Sequence, residues 1–235
     1  MAAGKAVVRR RGGRPDRAEA GSLGKAILDA AEVAFLARGF DGASMEAIAK
    51  MAGTTKQTLY ARFGSKAALF VEVSNRLLTG RFAPAPGKPM SLRDALVDVS
   101  EQALAAMLDP KLVRMYSIIM AEAARFPELA RLTDEDEHFP GRVIMSALLT
   151  DAMQSGEIVC TDVRQAMLLL QDMVLAGPLR TVALGFAAFG PEERRARALY
   201  AVDIFLAGIS TRGGARIEAS NASAPFEIGS EGVGR

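Results

Sequence analysis

The stretch SMEAIAKMAGTTKQTLYARFGSK, Ser44 to Lys66, constrains the fold more than any other part of the chain. Ile48, Ala49, Met51 and Ala52 form a short apolar face at helical spacing, and Gly53 interrupts it. Thr54 and Thr55 can then cap a second helix that opens with Lys56 and Gln57. Ala49, Gly53 and Leu59 have the spacing of a helix-turn-helix. The small alanine lets two helices approach, the glycine permits a left-handed turn, and the leucine pins the second helix to the first. The start of that second helix carries Thr55, Lys56, Gln57, Thr58 and Tyr60, a set of donors, acceptors and one ring with little apolar reason to be there. Such a face suits a DNA major groove.

The charge distribution agrees with this placement. Residues 1–80 hold 13 Lys and Arg against 7 Asp and Glu, a surplus of +6, which leaves −4 for the remainder of a 235-residue chain whose net charge is +2. The basic end is therefore the nucleic-acid end. Residues 1–21 contain Lys5, Arg9, Arg10, Arg11, Arg14 and Arg17 among five glycine and proline residues, with no apolar periodicity, and read as a disordered basic arm. Two readings stand for it. It is a solubilising tail, or it is an arm that lies along phosphates, with Gly13-Arg14-Pro15 similar to the core of an AT-hook and Arg14 entering a minor groove.

From Thr55 the chain continues as TKQTLYARFGSKAALF, and upstream Ile27-Leu28-Asp29-Ala30-Ala31 precedes Phe35, Ala37, Gly39 and Phe40. This order resembles the DNA-binding domain of the TetR family of repressors: a first helix, a short helix, an Ala-Gly turn, a recognition helix of the pattern S/T-K-x-T-L-Y-x-x-F, and G-S-K-x-x-L-F opening the next helix. The resemblance covers residues 25–75 without a gap. Together with the residue pattern it nominates Ser44, Thr54, Thr55, Lys56, Gln57, Thr58, Tyr60, Lys66 and Arg14 for DNA contact. Ser65 caps the helix that Lys66 opens, and a lysine there opposes the helix dipole, so a phosphate is its natural partner. The resemblance also implies a homodimer, operator DNA as partner and a small-molecule effector in a second domain. Glu122 to Ala130, EAARFPELA, is similar to a segment common in one branch of the family's ligand domains.

The composition favours an all-α protein, with Ala, Leu, Met and Arg abundant and few aromatics. A helix is expected from Ser22 or Leu23 to Arg38, ended by Gly39, with Phe40 folding back on its last turn. The chain then divides into a DNA-binding domain over 22–80, a proline-rich boundary with Pro84, Pro86, Gly87 and Pro89, a helical ligand-binding and dimerisation domain over 91–211, and a disordered tail over 212–235. Helices are expected after Ser91, after Pro110, over Val143 to Met153, from Thr161 or Asp162 to about Leu184 with a bend at Gly177-Pro178, and after Gly190-Pro191.

Seven methionines lie between Ser91 and Thr211, and a thioether-rich interior adapts to varied apolar guests. Met107, Met115, Tyr116, Ile119, Met120, Met145, Leu148, Met167, Leu170 and Met173 are the expected pocket residues. Ala198, Val202, Phe205 and Ile209 share one helix face, and with Leu170 and Val174 they are the expected dimer interface, because in the family the last two long helices pair with their copies.

Other chemistries find little support. There is no G-x-S-x-G, no G-x-x-x-x-G-K-[ST] and no G-x-G-x-x-G, so an enzyme is not expected, nor a cofactor. His138 beside Asp134 to Glu137 lacks the paired ligands of a metal site and reads as a solvated acidic turn. The single Cys160 cannot form an intrachain disulfide, reads as a buried apolar residue and fits a reducing cytoplasm. No membrane partner is expected, since the most apolar region, Ala166 to Phe189, is broken by Asp172 and Arg180. The sequence-level reading is a TetR-like repressor that binds a palindromic operator and is released by a small apolar or amphipathic ligand. The alternatives are an enzyme or carrier with an attached DNA-binding domain, and a DNA-binding protein without an effector.

Overall fold

The computed structural model describes residues 17–83, 90–129, 139–186 and 188–209. Nine principal helices span them: α1 (Arg17–Gly42), α2 (Met45–Met51), α3 (Lys56–Phe63), α4 (Lys66–Leu78), α5 (Leu92–Met107), α6 (Pro110–Glu122), α7 (Pro140–Gln154), α8 (Val163–Ala183) and α9 (Pro191–Ile209). The protein is all-α. Residues 84–89, the acidic run with His138, Arg14 and the 212–235 tail lie outside the described residues.

Local chemistry accounts for most of the boundaries. Ser44, Thr55, Ser65, Ser91, Asp109 and Asp162 each accept a backbone N–H at the start of the following helix through their side chains. Pro110 and Pro140 occupy first-turn positions where a missing N–H costs nothing. α1 starts at Arg17, about one turn before the expected Ser22, so its beginning overlaps the stretch read as arm. Gly39, at φ 74° and ψ −175°, breaks the helical backbone where expected, although the chain coils on to Gly42. Pro178 sits inside α8, between the buried Val174 and Leu175 on one side and Leu179 on the other.

Among the described residues two large apolar cores result, with a small cluster of Leu78, Ala106 and Leu112 besides. The first joins Ile27, Ala31, Phe35 and Phe40 of α1 to Ile48 and Ala49 of α2, Leu59 of α3 and Leu69, Phe70 and Val73 of α4. Phe35, Phe40 and Phe70 form an aromatic knot with ring centroids 5.0–6.1 Å apart. Edge contacts of this kind add about 0.5–1.5 kcal/mol each beyond burial. Met115 and Ile118 of α6, with Leu129, belong to this core as well. α6 is therefore packed on the helix-turn-helix unit although it follows the proline-rich boundary.

The second core brings together α5, α7, α8 and α9 around Leu96, Leu104, Met145, Leu149, Met167, Leu170, Val174, Val202 and Phe205. Cys160 is half-buried at its edge rather than fully enclosed. α8 is long and apolar enough to cross a membrane by length and composition. Here it serves as a core helix, with Ala166, Met167, Leu170, Val174, Leu175 and Leu179 turned inward.

Candidate nucleic-acid interface

The turn between α2 and α3 has the geometry the sequence calls for. The Ala52 N–H donates to the Ile48 carbonyl, the Gly53 N–H to Lys50 and the Thr54 N–H to Ala49, which closes α2 around Gly53 at φ 67°. Leu59 is completely buried and seats α3 on α1 and α2. Its replacement by alanine would cost about 2–5 kcal/mol. With the half-buried Phe63 packed on the same core, Leu59 fixes α3 with its opposite face outward.

On that face Lys56, Gln57 and Tyr60 are exposed, Tyr60 by 43%. Thr55 and Thr58 are already engaged in holding the start of α3. The Thr55 hydroxyl accepts the Thr58 N–H at 3.2 Å and lies 2.9 Å from the Thr58 hydroxyl. Thr54 is half-buried, and Ser44 caps α2 through the Ala47 N–H at 3.4 Å. Arg62 lies across Gly24 of α1, where a Cβ would collide with its guanidinium. With Lys25, Glu72 and Arg76 it borders an open charged hollow between α1, α3 and α4.

Lys66 is placed differently from expectation. Its ammonium donates to the Asp41 carbonyl oxygen at 3.1 Å and stands 4.7 Å from the centre of the Phe40 ring. Burial pushes its pKa down, and the nearby Asp41 and Glu122 carboxylates only partly oppose this. The partner inferred from the helix dipole is thus supplied by the protein's own α1–α2 turn, and the dipole no longer calls for a phosphate.

Above the helix-turn-helix unit lies a cavity of about 580 Å³, between α4, α6 and α8. Met107, Met115, Tyr116 and Ile119, four of the residues nominated for a pocket, line it. The other expected pocket residues do not. Met145, Met167 and Leu170 are wholly enclosed in the second core, Leu148 and Met173 pack against that core, and Met120 is 65% exposed. Helical spacing marks a buried face but does not distinguish a filled core from a cavity wall. The missed residues are Val71, Ser74, Asn75 and Leu78 of α4, Leu112, Phe139, Arg142, and Gln171, Asp172, Leu175, Ala176 and Leu179 of α8. Several are polar, and an apolar stripe does not point to them. Arg142 donates through Nε to the Gln171 side-chain oxygen at 2.8 Å, so the cavity wall combines apolar side chains with a hydrogen-bonded polar pair.

The residues expected at a dimer interface are turned into the protomer itself. Leu170, Val174, Ala198 and Val202 are completely buried, Phe205 is 7% exposed, and Ile209 packs against the same core. The face with the most apolar side chains is the one the chain covers for itself. On the opposite side of α8 and α9, Leu169 at 61%, Tyr200 at 66% and Ile204 at 48% stand outward, with Ala176 and Ala196 exposed on the same helices.

Comparisons with known proteins agree with this architecture. Residues 27–73 match the family described as bacterial regulatory proteins, tetR family, and residues 94–208 match the C-terminal domain described for AefR-like transcriptional repressors. A curated relative, an uncharacterised HTH-type transcriptional regulator YezE of Bacillus subtilis, is 28% identical over 111 residues, 45% of this chain and 57% of that protein. The chain thus spans little more than half of that relative. Among solved structures, the flavonoid-responsive regulator FrrA is similar at 30% identity and a TM-score of 0.67, over 82% of this chain and all of that one. A putative TetR-family regulator of Mesorhizobium loti is similar at 26% identity and a TM-score of 0.63, over 83% of this chain and all of that one. A helix-turn-helix with an outward polar recognition helix, joined to a helical second domain of the matching kind, places the chain in the TetR family of transcriptional regulators.

Proposed function

We propose that the protein is a non-enzymatic repressor that binds a palindromic operator as a homodimer and is released when a small amphipathic molecule occupies the cavity between α4, α6 and α8. The observation that carries this reading is the sharing of α4. Ser65 and Lys66 begin it beside the recognition helix, and Val71, Ser74, Asn75 and Leu78, one to three turns later, form a wall of the cavity. An occupant that needs room beside Leu78 or Asn75 must move α4, and α4 is packed directly on α3 and α1. Release requires only that the molecule bind the displaced arrangement better, by a few kcal/mol.

The chemistry of the wall indicates the class of molecule. Met107, Met115, Leu112, Phe139 and Leu175 offer apolar, polarisable surface, and Ser74, Asn75, Tyr116 and Gln171 offer neutral hydrogen-bonding groups. A ringed molecule with hydroxyl or carbonyl groups matches both halves. The likeness to a flavonoid-responsive regulator makes flavonoids the first panel to try. The face carrying Leu169, Tyr200 and Ile204 supports pairing with a second copy, which would set two recognition helices on successive major grooves.

Fluorescence anisotropy on DNA from upstream of the protein's own gene, with and without the flavonoid panel and chemically unrelated apolar compounds, tests the reading. Specific binding that one class of compound weakens at least tenfold is the expected result. Specific binding unaffected by any compound found to occupy the cavity would favour an effector-independent DNA-binding protein.

A further inference from the structure

Gly39 interrupts the helical backbone of α1, and α6 supplies acceptors to the two amides that follow it. The Glu122 carboxylate, in the last turn of α6, accepts the Phe40 N–H at 3.0 Å through Oε1 and the Asp41 N–H at 2.6 Å through Oε2. Two turns earlier on the same helix, Arg114 Nε approaches the Leu36 carbonyl oxygen at 3.4 Å. Three further side chains converge on the turn. Arg125 pairs with Asp41 at 3.1 Å, the Phe126 ring meets Phe40 edge-on at 5.1 Å, and Lys66 reaches both the Phe40 ring and the Asp41 carbonyl.

The space is shaped for the carboxylate. Gly39 has φ 74°, a conformation that side-chain-bearing residues rarely adopt, and a Cβ there would come 2.7 Å from Glu122 Oε1 and require the carboxylate to shift. A carboxylate taking two consecutive amides is a charge-assisted clamp, shorter and stronger than neutral hydrogen bonds, and it fixes orientation as well as distance. The residues it holds stand five and four positions before Met45, where α2 begins after its cap Ser44, and α2 carries the turn into α3. The angle of the reading helix is therefore set in part by a side chain from beyond the proline-rich boundary.

From this geometry we propose that Glu122 is a positioning residue for DNA reading: it clamps the α1–α2 turn to α6 and so holds α2 and α3 in the arrangement that recognises the operator. The proposal deepens the repressor reading and rests on its DNA-binding half. Glu122 touches no DNA in this scheme; it acts through Phe40, Asp41 and α2. Ile119 and Tyr116, cavity-wall residues, lie one and nearly two turns before it, so displacement of this end of α6 acts directly on the clamp.

Glu122→Gln tests the idea with almost no change of shape, because one acceptor oxygen becomes a donor facing an amide donor. Two readouts are taken on the full chain: hydrogen–deuterium exchange of peptides covering residues 39–44, and affinity for a duplex selected by the wild-type protein from random DNA, measured against unselected DNA. The clamp requires exchange at least tenfold faster and a ratio of selected to unselected affinity lowered about tenfold, with affinity for unselected DNA within twofold of wild type. Glu122→Ala should do the same or more; should it not fold, Glu122→Gln decides alone. Unchanged exchange overturns the clamp. Faster exchange with an unchanged affinity ratio overturns the positioning role, since the carboxylate would then be only a local cap. A wild-type protein that selects no duplex would refute the DNA-binding reading itself, and the exchange experiment shows separately whether the clamp exists.

Discussion

Leu169 and Leu170 are neighbours on α8, about 100° apart around the helix axis, and the turn between them crosses from core to surface: Leu170 is completely buried in its own protomer, and Leu169 is 61% exposed. On α9, Phe205 and Ile204 repeat the relation, at 7% and 48%. Were a second copy to pair through the outward set, as proposed, the inward set would be the core behind that interface.

The two sets respond differently to charge. Tyr200→Glu combined with Leu169→Glu should give a folded monomer with a melting temperature close to that of the wild-type protomer core. Phe205→Glu or Leu170→Glu should instead lose several kcal/mol and unfold or aggregate, because each buries an unpaired carboxylate. Light scattering with thermal melts distinguishes them. Intact dimers for the double variant would place the interface elsewhere.

This contrast marks where sequence reasoning stops. Helix starts were legible because caps and prolines act within four residues, as at Ser65, Ser91, Asp162 and Pro191. The helix-turn-helix was legible because Ala49, Gly53 and Leu59 satisfy a short-range geometric rule. Which of two faces of α8 meets its own chain is a long-range property, and an apolar stripe looks the same in either case. The cavity was half-legible for a related reason. Met115 and Tyr116 lay on a recognisable helix, whereas Asn75 belongs to a helix assigned to the DNA-binding unit, and its second role depends on how α4 meets α6 and α8.

On DNA, the exposed and the anchored residues of the reading unit should separate. Gln57→Ala is expected to cost about 1–3 kcal/mol on the specific site and little on unrelated duplexes, and Lys56→Ala to lower affinity uniformly and reduce the salt slope by about 1. Lys66→Ala should weaken specific binding with an unaltered salt slope, because its ammonium is held by Asp41 and Phe40. Anisotropy titrations at three salt concentrations measure all three. A slope reduced by one unit in Lys66→Ala would show that this lysine also reaches a phosphate.

Glu32 predicts an acid-dependent strap between the reading unit and α6. It takes Arg76 of α4 and Lys111 of α6, each at 2.6 Å, while Arg76 also holds Asp29. Burial alone would raise its pKa, but the hydrogen bonds from Lys111 and Arg76 outweigh that and hold the carboxyl below the usual range. A depressed carboxyl stabilises the fold above its unfolded value, about 4.3, and the contribution disappears as pH falls through the lower folded value. Glu32→Gln should therefore cost on the order of 1 kcal/mol at pH 7, about 2–4 °C in melting temperature, and nothing measurable once both pKa values have been passed in acid. A difference that stayed constant from pH 7 to pH 3 would mean that packing, not charge, is what the substitution removes.

The basic arm remains to be distinguished from a tail, and the helical start at Arg17 sharpens the comparison. Deleting residues 1–16 removes Lys5, Arg9, Arg10, Arg11, Arg14 and the single acid Asp16 while leaving α1 whole. A tail held away from DNA would leave the salt dependence nearly unchanged. An arm lying along the backbone should lower the slope by a few units, each phosphate contact contributing about 0.9. Entry of Arg14 into the minor groove would add a preference, since A·T tracts narrow that groove and concentrate its negative potential. The expected outcome for an arm is a loss on truncation that is larger for A·T-flanked than for G·C-flanked operators and grows as salt is lowered. Titrating full-length and truncated protein on both duplexes at two salt concentrations measures it, and equal affinities throughout would assign the stretch to solubility alone.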